Sequence, residues 1–199
     1  MYCDICFFGG GMTRVFFIIT LLLFPFYLNS KPLFVGDSLT YQLAVGYRNY
    51  SPVDALYLEG SGLHSSKLID WREYIEDIDF SRYDSVFIVL GTNDLILNSQ
   101  VSDYENKVND FLRKVKRNNN FVFWLLPPAL RDTKKNSLLN NARRVITQVA
   151  EKEGVTVIDM RLYLGAEYTE KNNGISIRTK DGIHITPAGA ELIVKNLIK

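Results

Sequence analysis

Short apolar runs and amphipathic segments alternate along the chain from residue 31 onward. The apolar runs predict β-strands at Lys31–Val35, Val53–Leu58, Ser85–Leu90, Phe121–Leu126 and Val155–Asp159. Between them, helical spacing of apolar residues predicts helices at Ser38–Asn49, Lys67–Ile78, Val101–Arg117, Leu138–Lys152 and Pro187–Ile198. Residues 160–180 are irregular, with a short extended piece at Ile175–Arg178. Strands interleaved with helices predict one α/β domain, residues 31–199, with a five-stranded parallel sheet covered on both faces.

The first 30 residues have a different pattern. Residues 15–28 read VFFIITLLLFPFYL, an apolar run that follows Arg14 and precedes polar residues. This layout is typical of a secretory signal peptide, and the run is shorter than the roughly 20 residues of a spanning helix. We therefore expect residues 1–30 to be a cleaved signal peptide or, alternatively, a membrane anchor through residues 13–28, with Met12 as a candidate start. Both alternatives predict an exported protein, which stays attached to a membrane if the leader is retained.

Composition and charge exclude several classes of function. The chain has 23 Lys+Arg and 22 Asp+Glu with 47% hydrophobic residues, which argues against a disordered chain and against a nucleic-acid binder. Cys3 and Cys6 lie in the leader, so residues 31–199 contain neither a disulfide framework nor a cysteine-based metal site. Since no phosphate-binding or dinucleotide glycine fingerprint is present, we expect no cofactor and no metal. Any chemistry that needs imidazole must use His64 or His184.

Glycines and polar residues follow the predicted strands. In a parallel sheet, ligands bind beyond these carboxyl ends of the strands. The segments are Gly36-Asp37-Ser38, Glu59-Gly60-Ser61-Gly62, Gly91-Thr92-Asn93-Asp94 and, before the last helix, Asp181-Gly182-Ile183-His184. Turn formation explains each segment separately. It does not explain why a serine, an asparagine and an aspartate–histidine pair would meet at one edge of the sheet.

These residue types together are suited to acyl transfer. Ser38 at a strand-to-helix turn needs an adjacent base to act as a nucleophile, and His184 can supply it. Asp181 can then fix the tautomer of His184 and stabilise its charged form. The backbone N–H groups of Ser38 and Gly62 and the side-chain amide of Asn93 are candidate donors to an oxyanion.

Three other polar residues near these segments have simpler interpretations. His64 follows Gly62 closely and could line the pocket, but a surface or capping role is at least as consistent, so we leave it out of the triad. Asp37 and Asp94 could form the carboxylate pair of a glycosidase. We favour a cap on the first helix for Asp37 and ordering of its own loop for Asp94.

In their order along the chain, the four segments resemble the four sequence blocks of the SGNH hydrolase superfamily, over residues 33–198. The resemblance implies a flavodoxin-like three-layer α/β/α sandwich and a Ser38–His184–Asp181 triad. It also implies an oxyanion hole formed by Ser38, Gly62 and Asn93. The second block departs from the common pattern because it offers two glycines. Gly62 is preferred because Ser61-Gly62 fits the block best, and Gly60 is the alternative.

Finer features are similar to a branch of bacterial envelope SGNH proteins of poorly defined function, related to domains that handle O-acetyl groups on polysaccharides. These features are Ser61-Gly62-Leu63, Asp70-Trp71, Trp124 ahead of Pro127-Pro128, and Arg178 ahead of Asp181. The resemblance implies a serine esterase that removes a small acyl group, in the first place acetyl, from a cell-envelope glycan or another small ester. The alternatives are an O-acetyltransferase with the same triad and, less favoured, a non-catalytic glycan-binding module.

Overall fold

The computed structural model describes residues 31–64 and 68–198. Its parallel strands are β1 (Lys31–Gly36), β2 (Asp54–Tyr57), β3 (Tyr83–Val89), β4 (Val122–Leu126) and β5 (Thr156–Asp159). The helices are α1 (Leu39–Arg48), α2 (Trp71–Tyr74), α3 (Val101–Lys116), α4 (Thr133–Lys152), α5 (Arg161–Leu164) and α6 (Pro187–Leu197). A small antiparallel hairpin adds β6 (Lys171–Asn172) and β7 (Ile175–Ser176).

The five parallel strands form one sheet in the order β2-β1-β3-β4-β5, which confirms the predicted sheet. The chain runs from β1 outward to β2 and then crosses back over β1 to β3. Connections therefore leave the sheet in opposite directions at the carboxyl ends of β1 and β3. In open α/β sheets this switch point opens the crevice in which ligands bind.

Helices cover both faces of the sheet, so the architecture is the predicted three-layer sandwich. On one face, α3 and α4 pack on the sheet around Trp124 and Phe111, both fully buried. On the other face, α1 and α6 enclose a second cluster that contains Phe34, Leu43 and Ile193. Because β1, β3 and β4 are buried on both sides, their sequences are continuous apolar runs rather than alternating ones.

Two helices differ from the sequence prediction. Helix α4 begins at Thr133 rather than Leu138, because the side chain of Asp132 accepts a hydrogen bond from the N–H of Lys135 and caps an exposed polar first turn. That turn contains no apolar residue that could have indicated it. The helix predicted at Lys67–Ile78 is reduced to the single turn of α2, which Asp70 caps through the N–H of Arg72. Ile75 directly follows this turn and is buried. Its helix-like spacing in the sequence therefore reflects packing against the core and not a long helix.

The segment predicted as irregular, residues 160–180, contains α5 and the β6–β7 hairpin. The expected extended piece at Ile175–Arg178 is present in part, as β7 and as an antiparallel bridge between Arg178 and Ile185. This bridge attaches the long segment to the loop that precedes α6. The predicted leader, residues 1–30, lies outside the described residues. Within residues 31–64 and 68–198, no helix has both the length and the apolar character needed to cross a membrane.

Candidate active site

Ser38 lies at the switch point of the sheet, between the end of β1 and the start of α1, where it is the N-cap residue. The turn depends on Gly36, because a Cβ at this position would lie 1.9 Å from the carbonyl oxygen of Val89 in β3. The N–H of Asp37 donates to that same carbonyl at 2.8 Å. The close approach of β1 and β3 therefore fixes the backbone from which the Ser38 hydroxyl projects.

His184 meets Ser38 although the two are 146 residues apart in the chain, with 2.8 Å between His184 Nε2 and Ser38 Oγ. The final helix, α6, packs beside α1 in the same apolar cluster. Its N-cap, Thr186, accepts a hydrogen bond from the N–H of Gly189. Helix α6 therefore starts three residues after His184 and holds the imidazole against the turn that carries Ser38.

Asp181 completes the set, with 2.7 Å between its Oδ2 and His184 Nδ1. Its other oxygen, Oδ1, accepts hydrogen bonds from the Thr179 hydroxyl and from the backbone N–H groups of Ile183 and His184. Partial burial opposes ionisation of Asp181, but these four hydrogen bonds outweigh it and hold the pKa of the carboxyl well below its usual range. Asp181 is therefore a carboxylate at any pH near neutrality.

This arrangement can activate a hydroxyl. When the Nδ1–H of His184 donates a hydrogen bond to Asp181, the lone pair of Nε2 faces Ser38 and can accept the proton of its hydroxyl. The side chains of His184 and Asp181 are 41% and 46% exposed, so solvent reaches the pair. Asp181, His184 and Ser38, the three residues expected from the sequence, are thus linked by consecutive hydrogen bonds.

A buried arginine supports the segment that carries His184. Arg178 is 2% exposed, and its guanidinium donates to the carbonyl oxygens of Ala129, Ile183 and His184. Burial lowers the pKa of Arg178 below its ordinary value. The Tyr168 ring lies 5.0 Å from the Arg178 guanidinium carbon. In the sequence, Arg178 stands out only as part of a family resemblance. Because Ala129 is 49 residues away in the chain, no local pattern indicates that Arg178 binds it and supports the segment that carries His184.

The loops after β2 and β3 meet beside Ser38. The side-chain amide of Asn93 donates to the carbonyl oxygen of Ser61 at 2.7 Å, which brings Asn93 next to Gly62. A Cβ at position 62 would lie 2.3 Å from Oδ1 of Asp94, so only glycine fits there. Gly60, the alternative, has φ of +69° in an exposed turn, where a Cβ would meet only Leu68 at 3.9 Å. The geometry thus favours Gly62 as the glycine of the second segment.

Asp94 is fully buried and joins three parts of the chain. It accepts hydrogen bonds from the N–H groups of Leu63 and His64 and from the hydroxyl of Tyr104. Burial raises the pKa of Asp94, in opposition to these bonds. The expectation that Asp94 orders its own loop is therefore wrong in one respect, because the side-chain bonds described for it go to the loop after β2 and to α3.

Asp37 is also fully buried, and it joins the first segment to the third. Its carboxyl accepts from the N–H of Leu39 at 3.0 Å and from the N–H of Thr92 at 3.2 Å. Burial raises the pKa of Asp37 to about 7. Ser38 occupies the N-cap position of α1 but makes no side-chain cap bond, and the Asp37 carboxyl instead accepts from the first N–H of the helix. The capping prediction for Asp37 is therefore right in the contact and wrong in the position. Burial of both Asp37 and Asp94 also argues against the glycosidase alternative, since neither carboxyl can contact a sugar.

His64 belongs to this buried network rather than to the triad. Its backbone N–H donates to Asp94, its ring lies edge-on to Tyr104, and its Nδ1 is 3.5 Å from a carboxylate oxygen of Asp103. Within the described parts of the chain, no group of three or more His, Cys, Asp or Glu side chains is placed to hold a metal ion.

Comparison with known proteins gives one family and many structural neighbours. A family model described as "Protein of unknown function (DUF459)" matches residues 31–199. A comparison with curated proteins gives no match. Among solved structures, an acetyl xylan esterase, AlAXEase, has a TM-score of 0.66 at 18% identity, covering 84% of this chain and 98% of its own.

Two further neighbours have comparable scores. A lipase/acylhydrolase from Enterococcus faecalis has a TM-score of 0.60 at 17% identity, over 84% of this chain and 95% of its own. An aryl esterase from M. smegmatis has a TM-score of 0.59 at 17% identity, over 84% of this chain and 96% of its own. These likenesses confirm, at the level of the fold, the resemblance to SGNH hydrolases that the sequence indicated.

Proposed function

We propose that this chain, which belongs to the DUF459 family of proteins of unknown function, is a serine esterase that removes a small acyl group from an ester. The observation that carries the proposal is the continuous hydrogen-bonded line from Asp181 through His184 to Ser38. A serine at a strand-to-helix turn, together with a histidine that an ionised carboxylate orients, is the arrangement that makes a hydroxyl nucleophilic.

The reaction begins when Ser38 Oγ attacks the ester carbonyl and its proton moves to His184 Nε2. The carbonyl C=O bond becomes a C–O⁻ bond in the tetrahedral intermediate. When the C–O bond to the alcohol breaks, His184 gives its proton to the departing oxygen and Ser38 is left acylated. A water molecule then loses a proton to His184, attacks the acyl carbon and releases the carboxylic acid, and Ser38 recovers its proton from His184.

The intermediate's negative oxygen needs hydrogen-bond donors. Among the described residues, none accepts a hydrogen bond from the backbone N–H of Ser38 or of Gly62. We assign these two N–H groups and the Asn93 amide to the oxyanion hole, since Asn93 is held at Gly62 through Ser61. One such donor contributes about 2.7–4 kcal/mol to transition-state stabilisation.

Hydrolysis is favoured over transfer to a sugar hydroxyl, because His184 and Asp181 are each more than two-fifths exposed and water reaches the base. An O-acetyltransferase would share the same acyl-enzyme and would differ only in the acceptor. A glycan-binding module without catalysis would not need a histidine within 2.8 Å of the serine hydroxyl.

We further propose acetyl as the acyl group and a cell-envelope glycan as the alcohol. Two structural neighbours are acetyl xylan esterases, which makes an acetylated polysaccharide the first substrate class to test. Export through the apolar leader to the periplasm or cell envelope, with or without retention at the inner membrane, is part of this proposal.

The decisive experiment is hydrolysis of p-nitrophenyl acetate by the purified chain and by its Ser38→Ala variant. Loss of the nucleophile is expected to lower kcat/KM by about 10⁴-fold or more. A fluorophosphonate that reacts with activated serines is expected to label Ser38, seen as a mass shift on the peptide that contains it.

Ser102→Ala is the matched control, because Ser102 is an exposed serine on α3 that belongs to none of the four segments. Unchanged turnover in Ser38→Ala, or labelling at another serine, would refute the proposed nucleophile. Acetate released in the presence of an acceptor sugar, without an acetylated acceptor, would exclude the transferase.

A further inference from the structure

Two exposed tyrosines stand side by side next to the turn that carries Ser38. The rings of Tyr41 and Tyr57 have centroids 5.5 Å apart and are tilted by 45°. The two residues are 51% and 42% exposed, whereas the phenylalanines and tryptophans of the sheet and its helices are buried or partly buried. Within the described residues, neither hydroxyl has a hydrogen-bond partner. The contacts of the two tyrosines therefore do not explain why their aromatic surface is exposed to solvent.

Local geometry places both rings beside the nucleophile. Tyr41 is in the first turn of α1, three residues after Ser38, and residues at this spacing share one side of a helix, about 5–6 Å apart. Helical side chains also lean toward the N-terminus, so Tyr41 leans back toward Ser38. Tyr57 ends the edge strand β2 and pairs in register with Gly36, two residues before Ser38.

Strand alternation explains why the two tyrosines meet. Successive side chains of β2 point to opposite faces of the sheet. Ala55 packs into the cluster beneath α1, so Tyr57, two residues later, points to the same face and reaches Tyr41. As β2 is the edge strand, no further strand covers this side.

We propose that Tyr41 and Tyr57 form a subsite that binds a pyranose ring of the ester substrate. An aromatic face is complementary to the row of C–H groups on one face of a sugar ring, and the tyrosine hydroxyls can bind sugar hydroxyls. This inference rests on the esterase function proposed above and specifies its alcohol part as a carbohydrate. The subsite acts by binding, so it lowers KM for sugar esters and leaves the chemical step unchanged.

The test compares sugar acetates with an acetate that has no ring. The probes are peracetylated methyl pyranosides of xylose, glucose and N-acetylglucosamine, and glycerol triacetate as the aliphatic reference. Wild-type kcat/KM is expected to be higher for at least one pyranoside than for glycerol triacetate. Tyr41→Ala and Tyr57→Ala are each expected to lower that value by about 2- to 10-fold, chiefly through KM, and to leave triacetate hydrolysis unchanged.

Controls separate the role of the rings from folding. Tyr41→Phe and Tyr57→Phe keep the aromatic faces and are expected to retain most of the sugar preference. Phe121→Ala removes a more exposed ring (68%) that directly precedes the amino end of β4, at the end of the sheet opposite the carboxyl ends of the strands, and is expected to change nothing.

The outcomes distinguish this inference from the esterase proposal. Turnover of glycerol triacetate with no preference for any pyranoside, or a preference that survives both alanine variants, would overturn the sugar subsite alone. A loss in the alanine variants that appears with glycerol tributyrate but not with the pyranosides would assign the rings to the acyl chain instead. Absence of turnover with every acetate would refute the esterase proposal and, with it, the subsite.

Discussion

The two sides of the candidate site are held together in different ways. The nucleophile side comprises the segments after β1, β2 and β3, and buried carboxyls join them: Asp37 to Thr92, 55 residues away, and Asp94 to Leu63, 31 residues away. The base side, residues 178–184, is a local turn in which Asp181 bonds to residues at most three positions distant. Its long-range hydrogen bonds include that of Arg178 to Ala129 and those of Arg131 to the carbonyl oxygens of Lys180 and Gly182.

Because of this difference, a substitution affects stability and catalytic geometry differently on the two sides. The carboxyls of the nucleophile side are fully buried and belong to the folded core, so changes there alter stability as well as geometry. The triad side chains of the base side are half-exposed, and their removal costs few buried contacts. Substitutions on the base side should therefore change catalysis without changing stability. Substitutions on the nucleophile side should change both.

His184→Ala tests the base side most strongly. We expect kcat/KM on p-nitrophenyl acetate to fall about 10⁴-fold, because Ser38 loses its only base. The free energy of unfolding, measured by urea titration, is expected to change by less than about 1 kcal/mol. Because the triad acts as a unit, adding Ser38→Ala should cause little further loss. A stability loss as large as that of a core substitution would contradict the separation of the two sides.

Asp181→Asn is expected to lower kcat by about 10³-fold, since an amide cannot hold His184 in the tautomer that accepts the Ser38 proton. The effect should be smaller than in a buried triad, because water reaches this half-exposed pair. Steady-state kinetics near neutral pH measure it. In the wild type, activity should not decline through titration of Asp181 at mildly acidic pH, because hydrogen bonds hold its pKa well below the usual range.

Asp37→Asn tests the buried side through pH. The folded-state pKa of Asp37 is about 7 and its unfolded value is 3.8, so between these pH values the folded protein holds a proton that the unfolded chain has released. Stability therefore falls as pH rises through this range, by on the order of 4 kcal/mol. The asparagine variant lacks this titration.

Urea unfolding of both proteins at several pH values from about 4 to about 8 measures the slope. We expect a flatter pH dependence in the variant, with the remaining slope coming from Asp94, whose pKa burial also raises. Parallel curves for the two proteins would show that Asp37 does not carry a proton in the folded state.

Gly62→Ala should lower the free energy of unfolding by about 2 kcal/mol, because a Cβ 2.3 Å from Asp94 Oδ1 forces the carboxylate away from its N–H donors. Activity should fall as well, since the same shift moves the Gly62 N–H. Gly60→Asn is the control, because asparagine tolerates the φ of +69° and its Cβ would meet only Leu68, at an ordinary contact distance of 3.9 Å. If the control lost the activity and Gly62→Ala kept it, Gly60 would be the glycine of the site.

The strands and the parallel sheet could be predicted from the sequence because they depend on local patterns, and the candidate triad residues because they lie in four short segments that resemble a known family. Continuous apolar runs identified β1, β3 and β4, and glycine-flanked polar residues after strands identified Ser38, Gly62 and Asn93. The bonds of Asp37, Asp94 and Arg178 could not be predicted, because each joins segments whose proximity depends on the folded sheet. The start of α4 was missed because its first turn is polar and exposed and stands outside the apolar repeat.

The distance in sequence between Ser38 and His184 has a consequence for the order of events during biosynthesis. Ser38, between β1 and α1, is synthesised 146 residues before His184, which precedes α6. In the proposed mechanism, a nascent chain therefore carries Ser38 without its base, and Ser38 would become reactive only after α6 docks beside α1. Completion of the fold is in this sense the activation step, and truncated products of translation or proteolysis that lack α6 would be chemically silent.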